Sequence, residues 1–300
     1  MTLPTAYGVP PRDYRAPDRT TLGAVRLQVA DLARSVAYYR DVIGLRLLSQ
    51  TESRATLGPH GEERAVIQLH EQPGAAPVPP RGRLGLFHVA ILLPDRAALG
   101  RFLAHLTARG EQVGMSDHFV SEALYLTDPD GLGLEVYADR PRTSWRVSGA
   151  QLEMATLPLD ARDVIAAGDG EPWTGAPAGT RVGHVHLHVG NLARAAEFYH
   201  VGLGFDKMVW EYPGALFLAA GGYHHHIGTN TWARGAQPAG STDAKLLEWQ
   251  ILFPEDADVR ALAEHLHAQG IDVVCEDGDL LVNDPWGTRV RVTSDSRYFS

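Results

Sequence analysis

A four-fold internal repeat constrains this chain more than any other feature. The segment VRLQVADLARSVAYYRDVIGLRLL near the start matches VHLHVGNLARAAEFYHVGLGFDKM past the midpoint almost position for position. Each reads as a strand, a turn ending in Asp31 or Asn191, a helix carrying Tyr39 or Tyr199, and a glycine-containing turn into another strand. Asp and Asn suit the N-cap because their side chains satisfy free amides of a helix's first turn, so helices are predicted just after Asp31 and Asn191. A second version of the unit opens with HVAILLPDRAALGRFLAHLTARG at His88 and EWQILFPEDADVRALAEHLHAQG at Glu248. These copies end in the hairpins LYLTDPDGLGLEVY and LLVNDPWGTRVRVT, with Asp, Pro and Gly where a tight turn prefers them.

The chain is therefore four modules, at about 22–72, 84–139, 181–232 and 245–294. Residues 1–21 form an N-terminal extension, and 140–180 connect the halves 22–139 and 181–294. The Pro and Gly of the connector predict an irregular path, with one short helix near 160–167.

Composition narrows the function classes. With 300 residues, 44% hydrophobic and 21% charged, the chain can bury sizeable cores. The single cysteine, Cys275, excludes an internal disulfide framework and thiolate clusters, so any metal must be held by nitrogen and oxygen. A net charge of -9 with scattered arginines argues against a nucleic-acid partner. No apolar run reaches membrane-spanning length, and MTLPTAYGVPPRDYRAPDRT lacks the apolar core of a signal peptide. The expectation is a cytoplasmic protein with no membrane partner; homo-oligomerisation is left open, since large apolar sheet modules often associate.

Aligning the copies turns one sequence into a comparison. At the start of the first strand the equivalent residues are Ala24, His88, His184 and Glu248, and the DP turns align Glu135 with Arg291. Glu135 stands in an otherwise apolar or glycine run, where alternation places it opposite Leu134 and Val136. A buried carboxylate needs a cation, hydrogen bonds or a metal, because stripping its water costs several kcal/mol, order of magnitude. Taken singly, His88 and His184 are ordinary hydrogen-bonded strand histidines. Taken with Glu135 at matched positions, they are the two imidazoles and one carboxylate of a facial triad, which leaves metal positions open. Modules one and four offer instead a Glu248–Arg291 charge pair.

With these residues in place, the chain resembles the vicinal-oxygen-chelate superfamily. The pattern His118, Leu124, Tyr125, Asp128, Pro129, Gly131 and Glu135 is similar to the signature of extradiol ring-cleavage dioxygenases. GLFHVAILLPDR, SEALYLTDPDG, YADRP, GHVHLHV and GGYHHHIGTNTW resemble a two-domain catechol 2,3-dioxygenase subgroup over nearly the whole chain. The resemblance implies an α+β fold: four βαβββ modules forming two cupped mixed β-sheet barrels with flanking helices. Because the triad sits on copies two and three, the metal cup is expected between those modules, with one and four paired as the other half.

The resemblance further implies Fe(II), with Mn(II) also compatible, and a small catechol-type diol plus O2 as partners. Tyr125 and His118 carry over as donors to a substrate oxygen. His226 is assigned as the acid–base histidine, with His225 as the alternate register; alternation groups His224 with His226. Of His186 and His188, which share a strand face with His184, one is expected beside the triad and the other toward the strand end, while His60, His70, His105, His200, His265 and His267 read as solvated and Tyr39 and Tyr199 as core. Trp210, Phe217, Phe119 and Trp232 are the aromatic candidates for the walls. The competing readings are a metal-dependent Lewis-acid lyase or isomerase of the glyoxalase type, and a metal-free binder of aromatic ligands.

Overall fold

The computed structural model describes residues 7–295. Module one supplies β1 (Thr21–Val29), α1 (Leu32–Asp41), β2 (Arg46–Gln50), β3 (Arg54–Gly58) and β4 (Ile67–Glu71). Module two supplies β5 (Gly85–Leu92), α2 (Arg96–Arg109), β6 (Gly114–Asp117), β7 (Ser121–Thr127) and β8 (Gly133–Asp139). The connector adds a small ribbon, β9 (Val147–Ser148) with β10 (Gln151–Leu152), and the short helix α3 (Ala161–Ala167). Module three follows with β11 (Arg181–His188), α4 (Leu192–Ala196), β12 (Asp206–Val209), β13 (Ala215–Ala219) and β14 (Ile227–Asn230); α4 runs on into a π-helical turn over Glu197–Gly202. Module four has β15 (Lys245–Phe253), α5 (Asp256–Ala268), β16 (Val274–Glu276), β17 (Asp279–Asn283) and β18 (Arg289–Ser294).

Capping chemistry sets the helix starts. Asp31, Asp95 and Asn191 each accept a bond from the amide three residues on, at 2.9, 2.7 and 2.9 Å. The DP turns are likewise self-bonded: Asp128 accepts from the Asp130 and Leu132 amides, and Asp284 from those of Trp286 and Thr288. Gly131 and Gly287, at φ 83° and 87°, supply the left-handed step each turn needs.

Two eight-stranded mixed sheets result, ordered β16-β17-β18-β15-β1-β4-β3-β2 and β12-β13-β14-β11-β5-β8-β7-β6. Modules one and four join through antiparallel β1 and β15, and modules two and three through antiparallel β5 and β11. In every module the first strand pairs in parallel with the last. This is the α+β arrangement of βαβββ modules in two cupped sheets that the sequence implies.

One apolar core lies between the sheets, with Leu27, Val89, Ile91, Val185, Leu187 and Ile251 contributed by the four central strands. Each fully buried aliphatic side chain of this kind stabilises the fold by about 1.5–3 kcal/mol. Alternation then turns His88, His184, His186 and Glu248 to the opposite, concave faces. Tyr39 and Tyr199 are core residues as expected, and each also ties its module to the DP turn of the next module, in the other sheet. Tyr39 donates to Asp128 at 3.2 Å and Tyr199 to Asp284 at 2.8 Å. Part of the N-terminal extension runs along module three, with Val9 bridging Lys207 and Arg15 bonded to Asp206. No helix among the described residues is long and apolar enough to cross a membrane.

Candidate metal centre

Three donor atoms meet on the concave face of the second sheet. His88 Nε2 lies 2.9 Å and His184 Nε2 3.2 Å from Glu135 Oε2, and the two nitrogens are 3.3 Å apart. All three residues are buried. The strand registers explain the meeting. Ala90 on β5 opposes His184 on β11 and Glu135 on β8, so a small residue has a donor on either side, and His88 stands two residues back on the same face. Gly183 completes the local fit, because a Cβ there would fall 1.9 Å from the Tyr137 hydroxyl that packs beside His184.

The spacing fits a metal. Ligands adjacent on an octahedron, with bonds of about 2.1 Å, sit about 3 Å apart. Hydrogen bonding alone fits less well, since both imidazole N–H groups would crowd onto one carboxylate oxygen and face each other. Protonation agrees. Burial pushes His184 down to about 4, only partly offset by Glu135. Burial acts to raise Glu135, but the His184 and His88 imidazoles outweigh it and hold the carboxylate well below its usual range. An ionised carboxylate beside a neutral His184 imidazole is what a cation requires near neutral pH.

The triad forms one wall of a cavity of about 310 Å³. Tyr125 and His118 both line it. His118 donates from Nδ1 to the Ala155 carbonyl at 2.5 Å, which leaves Nε2 to accept the Tyr125 hydroxyl at 2.6 Å. Burial, then the Glu135 charge, raises Tyr125 well above the ordinary phenol value, so its proton is retained.

His226 does not reach this cavity. It lines a separate one with Arg142, Arg181 and Tyr223, and its Nδ1 accepts the Ala220 amide at 3.2 Å. The reason is local: residues 224–226 form the approach to β14 and not strand proper, so strand alternation does not carry back to them. His225 is the histidine that turns inward, its ring centroid 4.0 Å from that of His184. A buried chain of hydrogen bonds holds it. His224 donates from Nε2 to Asp139 Oδ1 at 2.8 Å, and its Nδ1 then accepts from His225 Nδ1 at 2.7 Å. His225 Nε2 is left with its lone pair. Burial first, and His184 and His224 next, push His225 well below the usual imidazole value, which makes it a neutral base.

His186 and His188 are anchored by Asn230, which donates to His186 at 3.0 Å and accepts from His188 at 2.7 Å. Phe217 and Trp232 line the cavity, whereas Trp210 and Phe119 do not. The sequence gives no signal for Met154, Ala155 and Thr156, which close the cavity from a connector without a repeat counterpart, and only adjacency to His88 hints at Phe87. His200 departs from its solvated expectation: it is buried and bonded to the Phe205 carbonyl within the π-helical turn's packing.

Residues 21–136 and 181–292 match the family model described as the Glyoxalase/Bleomycin resistance protein/Dioxygenase superfamily. The chain belongs to that superfamily. Another relative, the Catechol-2,3-dioxygenase of Bacillus subtilis (strain 168), is 41% identical over 270 residues, spanning 89% of this chain and 94% of the relative. Solved structures share the fold at lower identity. A candidate dioxygenase from Bacillus subtilis subsp. subtilis strain 168 aligns with TM-score 0.63 at 14% identity, covering 94% of this chain and 86% of its own. Glyoxalase I from Zea mays aligns with TM-score 0.54 at 18% identity, covering 93% and 94%. These two likenesses establish the superfamily's architecture and leave the reaction to the site itself.

Proposed function

We propose that this superfamily member is a non-haem Fe(II)-dependent extradiol dioxygenase that cleaves catechol or a substituted catechol with O2 to a ring-opened semialdehyde. The observation that carries the reading is the His88, His184 and Glu135 donor face, which leaves the opposite side of an ion open to the cavity. The identity to a catechol-2,3-dioxygenase over most of both chains supports it. Mn(II) suits the same donors.

An ion held by His88, His184 and Glu135 would supply Lewis acidity toward the diol and redox chemistry with O2. The chain's own residues do the rest. His225 Nε2 takes a proton from a diol hydroxyl as the diol is bound, and returns one as the ring opens. The Tyr125 hydroxyl, which gives its one proton to His118 Nε2 in the unliganded protein, turns that proton to a substrate oxygen when the diol binds. The aromatic walls exclude water, which keeps each hydrogen bond strong.

The number of ligands separates this reading from a Lewis-acid lyase or isomerase. The position in module three equivalent to Glu135 is Gly228, which opposes His186 as Glu135 opposes Ala90. A Cβ at Gly228 would come within 2.8 Å of the His186 ring, so a symmetric second carboxylate has no room. A metal-free binder would leave three converging donor atoms without purpose. In this account 1–21 is an extension and 140–180 a connector, while the metal cup takes one module from each of the halves 22–139 and 181–294. A reducing cytoplasm suits both ferrous iron and an exposed Cys275.

Anaerobic loading with Fe(II), followed by catechol and air, tests the proposal. A yellow ring-fission product with one O2 consumed per catechol is the expected result. Bound metal with no O2 uptake over a panel of catechols would sink it.

A further inference from the structure

Among the described residues the walls of the cavity contain no Lys or Arg, and beyond the triad much of the surface comes from Phe87, Met154, Tyr212, Phe217 and Trp232. Arginines close by in sequence are committed elsewhere. Arg140 pairs with Asp117 and Glu122 at 2.7 and 3.0 Å, and the Arg146 guanidinium lies 5.1 Å over the Phe119 ring. Two lining imidazoles are similarly engaged, His118 with Ala155 and Tyr125, and His186 with Asn230. At about 310 Å³ the space lies at the small end of ligand pockets, enough for one ring with a short substituent.

From this we infer that the site selects diols whose ring substituent is uncharged, such as alkylcatechols, and rejects those bearing a carboxylate; the inference rests on the diol reading above. A carboxylate substituent carried inside would lose its water and find no guanidinium or ammonium on the described walls, the charges of the ion and of protonated His225 being engaged by Glu135 and the diol oxygens. An alkyl group meets aromatic faces and the adaptable thioether of Met154. The same lack of a cation serves turnover. Ring opening breaks one carbon–carbon bond, places both O2 atoms in the product and yields a carboxylic acid that ionises, so the cavity disfavours what it has made.

The test uses the full chain loaded anaerobically with Fe(II), and 4-nitrocatechol as a probe whose absorbance shifts on chelation. Catechol and 4-methylcatechol should displace it at concentrations within about tenfold of each other, and 3,4-dihydroxybenzoate only at about 100-fold more or beyond. Displacement by the carboxylate within about tenfold of catechol would overturn the selectivity while leaving the diol reading intact. Met154→Arg and Thr156→Arg each place a cation on the wall, away from the triad, and at least one should narrow the gap about tenfold or more. A gap that neither variant moves would overturn its attribution to the missing cation. Failure of the probe itself to bind the loaded protein would overturn the diol reading and this inference with it.

Discussion

Where the sheet of modules two and three gathers His88, His184 and Glu135, the sheet of modules one and four has Ala24, Glu248 and Arg291. The ladders make the equivalence strict: Ala90 opposes Glu135 on β8, and Gln250 opposes Arg291 on β18. In the second case a guanidinium stands where a metal would, with Arg291 Nε 2.9 Å from Glu248 Oε1 and Nη1 2.9 Å from Asp279 Oδ2. A cation attached to the chain is always present, and here its donors are taken by Glu248, Asp279 and Glu276 and it has no open coordination position to offer. One frame thus serves two ends: its charges are satisfied internally in one sheet and left open to a cavity in the other.

The largest expected effect belongs to the open sheet. His225→Ala should lower kcat about 100- to 10,000-fold, the range for loss of a general acid–base group, with metal content intact. His226→Ala, beside it in sequence but outside the cavity, should cost less than about tenfold in kcat. Steady-state kinetics with metal analysis on both variants checks this, and the reverse ranking would return the acid–base role to His226.

The closed sheet should respond in stability instead. Arg291→Met strands Glu248, which is 2% exposed, with Arg26 at 3.6 Å as the one remaining cation partner among the described residues. Unfolding in urea should show a loss of about 3 kcal/mol, with metal content and kcat unchanged. An equal loss of activity would break the division of labour between the sheets.

Acid should weaken the metal-free protein. Burial holds His184 at about 4 and His226 at about 3, so in the range from about pH 6.5 down to about 4 the unfolded chain takes up their protons first. Asp128, raised to about 6 by burial, opposes this with a single proton and does not cancel it. Stability should therefore fall by about 1 kcal/mol or more per pH unit across that window, and be flat with respect to these groups above it. Urea titrations at about pH 7.5, 6 and 5 measure the slope; a rise toward acid would contradict it. The smallest effect is expected for Tyr39→Phe, which removes the bond to Asp128 for about 1 kcal/mol.

What was legible in the sequence was whatever the repeat displays more than once. Helix caps, DP turns, paired tyrosines and the equivalence of His88, His184, Glu248 and Arg291 all follow from aligning copies, because a repeated βαβββ unit repeats its registers. The orientation of the histidine run was not legible. Alternation is a property of strands, and 224–226 stand ahead of β14, where the turn sets direction. Asp139 as the anchor of His224, and the closing contribution of Met154 to Thr156, depend on contacts that no periodicity encodes.

The measurement closest to the central claim is metal stoichiometry after anaerobic loading with Fe(II), in three full-length proteins compared side by side. The native chain and Arg291→Met should each hold about one iron, and Glu135→Ala, with an unchanged circular dichroism spectrum, close to none. Full iron retention by a folded Glu135→Ala protein would contradict the assignment of His88, His184 and Glu135 as the metal's ligands.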